Sequence, residues 1–246
     1  MNLKIKKLNS FAYKKSDELN NAKHTNLEYK DLIQKIDFSI KRYDQVHSLD
    51  RKIKFFLDVR GIIQVNKING SYMEFGSYLS FCQIAAARVL GSTDIKNYIG
   101  LDTFAGEPTT EIEDEYMAKI NKEGSFKSNF EDVRAFVDKC IGDAGKLIKG
   151  DFRDPKIIKQ LTNYLPISIA VVDCNYHSSL KVVFSFLSKS LEPGSFIFVD
   201  DFFLDAYNSY VKDILNETWS NADTQLIDFS IYPPFAKSFL VTKKKK

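Results

Sequence analysis

Cysteine is scarce in this chain, and its scarcity excludes several classes of protein. Only three of the 246 residues are cysteines, at positions 82, 140 and 174. None lies in a C-x-x-C spacing, which argues against a zinc site and against a disulfide scaffold. Each stands among apolar residues, so we interpret all three as buried free thiols in a reducing compartment and expect a cytoplasmic protein.

An excess of charge of one sign and long apolar runs are also lacking. Lys and Arg number 35 against 32 Asp and Glu, and part of the net charge of +3 comes from the terminal lysine run. This balance provides no strongly basic surface, so we expect no nucleic-acid partner. No apolar run approaches the roughly 18 residues that a membrane-spanning helix needs, so we expect no membrane partner either.

Apolar residues nevertheless make up 44% of the chain, which is enough for one sizeable core. Residues 1–25 are polar and predict a loosely docked arm. Residues 26–66 carry apolar positions at steps of three and four, which predicts one or two amphipathic helices. We therefore divide the chain into an N-terminal arm with a helical cap, residues 1–66, and a core, residues 67–246.

Two segments are each open to two interpretations. Phe55, Phe56 and Ile62 of the helical cap either pack into the core, the commoner fate of such residues, or form the contact of a homodimer. The long acidic loop over residues 106–128 is either a lid over the site or a solvated excursion.

In the core, short apolar runs alternate with longer helical stretches. ISIAVVD (167–173) and GSFIFVDD (194–201) are almost continuously apolar, which is typical of strands buried on both faces. Five repeats of strand and helix predict an open α/β sheet with right-handed crossovers. The last two runs, 225–232 and 236–243, flank two prolines and predict a terminal hairpin.

Acidic residues follow these strands at the edge where open α/β sheets bind ligands. They are Glu74, Asp102, Asp151, Asp173, Asp200 and Asp201. Asp173, Asp200 and Asp201 end neighbouring strands, so we expect their carboxylates to converge. Three carboxylates in one cleft repel one another unless a cation compensates, and their oxygen ligands favour Mg²⁺. The sequence therefore predicts a magnesium site.

The first strand-to-helix turn, EFGSYLSF (74–81), contains a single glycine. Gly76 allows a ligand to approach the backbone, but the further glycines of a dinucleotide fingerprint are absent, which disfavours a pyrophosphate cofactor. Asp102 ends the second strand, where a carboxylate commonly binds ribose hydroxyls. A nucleoside cofactor without pyrophosphate indicates S-adenosylmethionine.

With these motifs, the chain resembles the metal-dependent O-methyltransferases typified by macrocin, mycinamicin and novobiocin O-methyltransferases. The matching stretches are GSYMEFGSYLSF, YIGLDTFAGEP, KGDFRDP, VVDCNYHSS and VDDF. The resemblance implies a Rossmann-like class I methyltransferase fold, with N-terminal helices before a mostly parallel seven-stranded sheet that ends in an antiparallel hairpin. It also implies S-adenosylmethionine as the cofactor.

The resemblance further implies a role for each residue of the site. The cofactor-binding residues would be Glu74, Gly76, Ser77, Asp102, Thr103, Asp151, Phe152 and Asp173, with Asp102 on the ribose and residues 151 and 152 beside the adenine. The Mg²⁺ ligands would be Asp173, Asp200 and Asp201. The metal would hold the acceptor hydroxyl, lower its pKa and align it with the methyl group. A sugar diol would chelate such an ion, so a small glycosyl acceptor is expected.

Two residues depart from the family's pattern. The second aspartate of the family's metal segment, its candidate general base, is replaced by Asn175, which cannot accept a proton at neutral pH. His177 is the candidate substitute, because its unperturbed pKa lies near 6.5, and Asp173 completes the catalytic set. Ser80 stands where the family commonly has glycine in the first strand-to-helix turn, residues 74–81, which we call the cofactor turn.

Three functions are compatible with these observations. The first is S-adenosylmethionine- and Mg²⁺-dependent O-methylation of a sugar, in tailoring of a surface polysaccharide or a secondary metabolite. The departure at Asn175 favours a second, in which a phenolic or phosphate-linked oxygen accepts the methyl group. Asn175 and Ser80 together motivate a third, a non-catalytic cofactor-binding protein, although the three intact carboxylates argue against it.

Overall fold

The computed structural model describes residues 43–108, 122–174, 176–203 and 210–244. The chain divides into two compact units, Met1–Val46 and His47–Lys246, and the fold below is that of the second. Several sequence-based expectations lie outside the described residues: the N-terminal arm, the first part of the helical cap, most of the predicted lid, and Asn175.

Within the described residues, six α-helices and seven strands follow one another. The helices are α1 Tyr43–Asn66, α2 Phe81–Leu90, α3 Phe130–Ile141, α4 Pro155–Leu161, α5 His177–Ser190 and α6 Tyr210–Ser220. The strands are β1 Gly70–Phe75, β2 Ile95–Asp102, β3 Gly145–Lys149, β4 Ile167–Val172, β5 Leu191–Val199, β6 Thr224–Tyr232 and β7 Ala236–Lys243. Every described helix is too short or too polar to span a lipid bilayer.

All seven strands form one sheet in the order β3-β2-β1-β4-β5-β7-β6. Strands β1 to β5 are parallel, and β7 runs antiparallel to both β5 and β6. This confirms the predicted sheet and its terminal hairpin. The strand order reverses between β1 and β4, and open α/β sheets bind ligands in the crevice at such a switch point.

Local signals place most of the helix ends. The side chain of Asn129 accepts hydrogen bonds from two backbone N–H groups at the start of α3, and Asp154 caps α4, which begins at Pro155. Helix α5 ends at Ser190, although the sequence LEPG that follows would allow a helix to end at Gly194. The chain already enters β5 at Leu191, because this buried residue pairs with Ile167 of β4.

Two apolar cores cover the two faces of the sheet. Helices α1 and α2 pack on one face, and α4, α5 and α6 pack on the other. Strand residues alternate between the two cores, so that Phe196 and Phe198 of β5 face α1, whereas Ile197 and Val199 face α5 and α6. This alternation decides which face each strand-end acid reaches.

Helix α1 is an integral part of its core. Its fully buried residues are Phe55, Phe56, Val59 and Ile63. The ring of Phe55 lies 5.1 Å from that of Phe198, centroid to centroid. Burial of each such side chain stabilises the fold by about 1.5–3 kcal/mol, so core packing accounts for Phe55 and Phe56. A homodimer stays a prediction. The second compact unit begins at His47, so most of α1 belongs to it. The division of the chain at residue 66 stays a prediction.

Candidate active site

The carboxylates of Asp173 and Asp200 share a lysine that comes from helix α1. Asp173 directly follows β4, and Asp200 directly follows β5. Lys52 Nζ lies 2.5 Å from Oδ2 of Asp173 and 3.2 Å from Oδ2 of Asp200. Arg51 adds a second ion pair, with Nη2 3.3 Å from Oδ1 of Asp200. Two cations of one helix thus balance the two carboxylates.

The burial of this cluster changes the protonation of its members. The side chains of Lys52 and Asp200 are each 5% exposed, and that of Asp173 is 26% exposed. Burial opposes the charge of Lys52, but the two carboxylates prevail and raise its pKa well above the usual value. Burial also raises the pKa of Asp173 to about 6, against the attraction of Lys52. Lys52 therefore stays protonated and cannot act as a general base at neutral pH.

Asp201 does not join these ion pairs. Asp200 pairs with α1, whereas Asp201 lines a small cavity with Cys174 and Tyr210. Burial, followed by repulsion from Asp200 and Asp173, raises the pKa of Asp201 well above its usual value. Within the described part of the chain, no group of three or more acidic, histidine or cysteine side chains is arranged to hold a metal ion.

The predicted Mg²⁺ site does not fit this arrangement. Within the described residues, its three expected ligands form no group arranged to hold a metal ion, although Mg²⁺ demands near-ideal octahedral geometry. The Lys52 ammonium already stands at hydrogen-bonding distance from two of them. A divalent ion between Asp173 and Asp200 would have to displace that buried ammonium.

Glu74 forms a second buried carboxyl group at the end of β1. Its side chain accepts a hydrogen bond from the Tyr72 hydroxyl at 3.0 Å, and the same hydroxyl lies 3.2 Å from Cys82 Sγ. Burial raises the pKa of Glu74 to about 8, although the charge of Lys52 opposes the rise. The structure thus places this predicted cofactor contact inside the protein, 1% exposed and bonded to Tyr72.

The cofactor turn needs Gly76 for a reason that the sequence does not reveal. Its φ of +91° lies in the region that favours glycine. A Cβ at this position would collide with the carbonyl oxygen of Asp173. Backbone hydrogen bonds hold the turn there, from Gly76 N to Leu101 O and from Asp173 N to Phe75 O, each at 2.9 Å. The glycine therefore serves close packing of the turn against the segment after β4.

Asp102 organises the same turn through both of its carboxylate oxygens. Oδ2 accepts a hydrogen bond from the Tyr78 N–H and Oδ1 one from the Phe104 N–H, each at 2.7 Å. Burial raises the pKa of Asp102, and these backbone donors oppose the rise. A carboxylate has about four acceptor sites, so ribose hydroxyls can donate to it as well.

Ser77 supplies a further observation that fits a nucleoside cofactor. Its side chain is 5% exposed, and its Oγ has no hydrogen-bond partner among the residues that the structure describes. Buried hydroxyl groups are normally paired, so this one is available to a ligand. Together with the remaining lone pairs of Asp102, it makes the turn suitable for the predicted cofactor.

The other predicted cofactor residues follow β2 and β3. Thr103 Oγ1 accepts a hydrogen bond at 3.1 Å from the backbone N–H two residues on. Burial alone would raise the pKa of Asp151, but hydrogen bonds from Arg153, including one of 2.7 Å from Nη2 to Oδ2, lower it. Phe152 is 8% exposed and packs edge-on against Phe75, with 6.1 Å between ring centroids.

The two residues that depart from the family's pattern have distinct surroundings. Ser80 is fully buried with a φ of +59°, a left-handed conformation that costs about 1–2 kcal/mol for a residue other than glycine. His177 is the first residue of α5, and its ring lies 6.1 Å from that of Tyr210. Its role as general base stays a prediction.

Sequence reasoning missed Arg51 and Lys52. Lys52 lies on the same helical stripe as the buried Phe55, Phe56 and Val59, at steps of three, four and seven. A lysine in an apolar stripe is the signal that could have identified it, because a buried lysine requires a partner of opposite charge.

A pocket of about 370 Å³ lies at the other end of the strands. It is lined by Gly70 and Ser71 at the start of β1 and by Lys96 and Asn97 at the start of β2. Since the acidic residues described above lie at the carboxyl ends, this pocket is not part of the candidate active site.

Comparison with known proteins agrees with the fold and the motifs. The chain matches the sequence profile of the macrocin-O-methyltransferase (TylF) family over residues 11–232. Sequence comparison with curated proteins finds no match.

Solved structures of O-methyltransferases share the fold. The O-methyltransferase NovP is 18% identical, with 78% of this chain and 80% of that chain covered and a TM-score of 0.61. The calicheamicin methyltransferase CalS11 is 16% identical, with 92% and 89% covered and a TM-score of 0.57. TomG from Streptomyces achromogenes, solved in complex with S-adenosylmethionine, is 17% identical, with 78% and 80% covered and a TM-score of 0.50.

The family match spans the cofactor turn, Lys52 of α1 and the six acidic residues at the carboxyl ends of the strands, from Glu74 to Asp201. It thereby covers the whole candidate active site and most of the sheet. The chain belongs to the macrocin O-methyltransferase family and is an S-adenosylmethionine-dependent O-methyltransferase.

Proposed function

We propose that this enzyme methylates a hydroxyl group of a small glycosyl acceptor, in the tailoring of a surface polysaccharide or a secondary metabolite. The family match over residues 11–232 is the observation that supports this most strongly. One structure of CalS11 is described as a TDP-rhamnose 3'-O-methyltransferase, which favours a sugar ring as the acceptor.

The residues around the cofactor turn would bind and orient S-adenosylmethionine. When bound, this cofactor would supply a methyl group for in-line transfer to the acceptor oxygen, with S-adenosylhomocysteine as the leaving group. Asp102 would accept hydrogen bonds from the ribose hydroxyls while it continues to hold the turn through Tyr78 and Phe104. Ser77 would contribute its unpartnered hydroxyl, and Phe152 an apolar surface for the adenine. Such fixed positioning lowers the entropic part of the barrier.

The acceptor hydroxyl must also lose a proton. Lys52 is held in its protonated form by two carboxylates and cannot accept it. We propose His177, at the start of α5 beside the segment that follows β4, as the general base. His177→Gln should then lower kcat by about 100-fold, as general-base catalysis contributes typically 10²–10⁴-fold, while cofactor affinity stays unchanged.

Magnesium dependence stays a prediction of the sequence. The proposed function includes no step through a metal ion, because the described carboxylates do not fit one. The cytoplasmic location is also part of the proposal, and the three free cysteines support it.

Two measurements test the proposed function. Calorimetric titration with S-adenosylhomocysteine tests the cofactor site, and failure to bind would overturn the proposal. Transfer of a labelled methyl group to a panel of nucleotide deoxysugars, a catechol and a sugar phosphate then tests the acceptor class. We expect methylation of a deoxysugar, and methylation of the catechol alone would replace the glycosyl acceptor with a phenolic one.

A further inference from the structure

We infer that Lys52 is the resident cation of the Asp173 and Asp200 carboxylates and makes this strand-end site independent of divalent metal. The inference concerns the occupant of the site and does not depend on the acceptor proposed above. The testable consequence is that Lys52, which lies far in sequence from Asp173 and Asp200, prevents a divalent ion from binding to these two carboxylates.

The position of the ammonium group is the first argument. Lys52 Nζ lies 2.5 Å from one carboxylate and 3.2 Å from the other, so a single charge is shared by both. A cation that bridges Asp173 and Asp200 would need the same place. An ammonium group carries three donors and no acceptor, which suits a site lined by carboxylate oxygens.

The anchoring of α1 is the second argument. Lys52 precedes Phe55 and Phe56, whose side chains are fully buried against the sheet. The Lys52 side chain is itself only 5% exposed. Its ammonium therefore cannot leave for water unless α1 loses part of its packing.

The balance of charge is the third argument. Asp173 and Asp200 are already compensated by Lys52 and Arg51, at one positive charge for each negative one. A divalent ion placed between these two carboxylates would be repelled by two buried positive charges that are already bonded to them, which is unfavourable. Asp201 lines the neighbouring cavity with Tyr210 and takes no part in the ion pairs of Lys52 and Arg51.

Manganese titration of the full chain tests this inference without any acceptor. Binding of Mn²⁺ is measured by calorimetry and by the electron paramagnetic resonance signal of the free ion, with and without S-adenosylhomocysteine. The variants are Lys52→Met, which removes the charge, and Lys52→Arg, which keeps it. Lys54→Met is the matched control, since Lys54 lies two residues away on the same helix, is 62% exposed and pairs with Asp58.

We expect the wild type, Lys52→Arg and Lys54→Met to bind Mn²⁺ only weakly, with Kd above about 1 mM, since a single accessible carboxylate is a poor site. Lys52→Met should bind it at least tenfold more tightly, and the further change Asp173→Asn should abolish the gain. An unchanged affinity in Lys52→Met would overturn the inference. If Lys52→Met fails to fold, the Mn²⁺ affinity of the wild type tests the inference by itself. One Mn²⁺ bound with a Kd below about 50 μM, and lost in Asp173→Asn, would overturn the inference. Weak binding by the wild type would support it.

Discussion

Asp102 and Asp173 end two strands on either side of β1, yet their charges are satisfied in different ways. Asp102 accepts hydrogen bonds from backbone N–H groups only 24 and 2 residues away in sequence. Asp173 pairs with the Lys52 ammonium, 121 residues away. The first carboxylate belongs to a site that two adjacent strands, β1 and β2, build with the turns that follow them. The second belongs to a site that exists only after helix α1 has docked.

Removal of the distant partner should have the largest effect. Lys52→Met leaves Asp173 and Asp200 without their shared cation, and loss of one partner of a buried ion pair costs about 3–5 kcal/mol of unfolding free energy. Urea denaturation at neutral pH measures this loss. Lys54→Met removes a surface charge of the same helix and should cost less than about 1 kcal/mol. Equal losses in the two variants would contradict the importance of the buried pair.

Removal of the Asp102 carboxylate should mainly lower the affinity for the cofactor. Asp102→Ala leaves the N–H groups of Tyr78 and Phe104 without their acceptor and removes the proposed ribose contact. We expect the affinity for S-adenosylhomocysteine to fall by about 100-fold, equivalent to about 3 kcal/mol, as measured by calorimetry. Asp102→Asn keeps one acceptor oxygen and should lose less. Unchanged affinity in the alanine variant would show that the turn forms without this carboxylate.

The pH dependence of stability should distinguish the buried carboxyl of Glu74 from the carboxylates of Asp102 and Asp173. Its pKa rises from 4.5 to about 8 on folding, so its contribution to stability is fully present below pH 4.5 and is lost as the pH rises through about 8. Glu74→Gln keeps an acceptor for Tyr72 but does not titrate. Relative to the wild type, the variant should gain about 2 kcal/mol of unfolding free energy between about pH 6 and pH 8. Parallel stability curves for the two proteins would show that Glu74 is ionised throughout.

The smallest expected effect concerns the backbone of the cofactor turn. Ser80→Gly relieves a left-handed conformation at a buried position and should stabilise the protein by about 1 kcal/mol, as measured by thermal unfolding. Ser185→Gly is the matched control in the middle of α5 and should destabilise by about 0.5–1 kcal/mol. The same sign in both variants would mean that Ser80 is not strained.

The same contrast explains what the sequence could predict. Short apolar runs, and the polar turn and capping residues between them, predict the sheet, its terminal hairpin and the helix cap at Asn129. These signals act over a few residues. Asp102 is recognisable from its position at the end of β2, although its contact with Tyr78 also depends on the pairing of β1 with β2. The cofactor turn was likewise identified from a short motif, although the reason for Gly76 required the fold.

The ion pairs could not be predicted in the same way. Nothing in the sequence near Asp173 points to Lys52, since the contact depends on how α1 lies across the sheet. Adjacent acids in a sequence suggest one shared site, yet Asp200 pairs with Lys52 and Arg51, whereas Asp201 lines a cavity with Tyr210.

The ion pair between Lys52 and Asp173 also has a consequence for the order of events during synthesis. The chain emerges from its N-terminus, so α1 is made while both of its carboxylate partners are still untranslated. A lysine cannot be buried without a partner, so we expect α1 to stay undocked, with its aromatic stripe in water, until β4 and β5 have been completed. Docking of α1 therefore requires translation beyond Asp200. A chain that stops earlier would expose Phe55 and Phe56 to the cell's quality-control machinery.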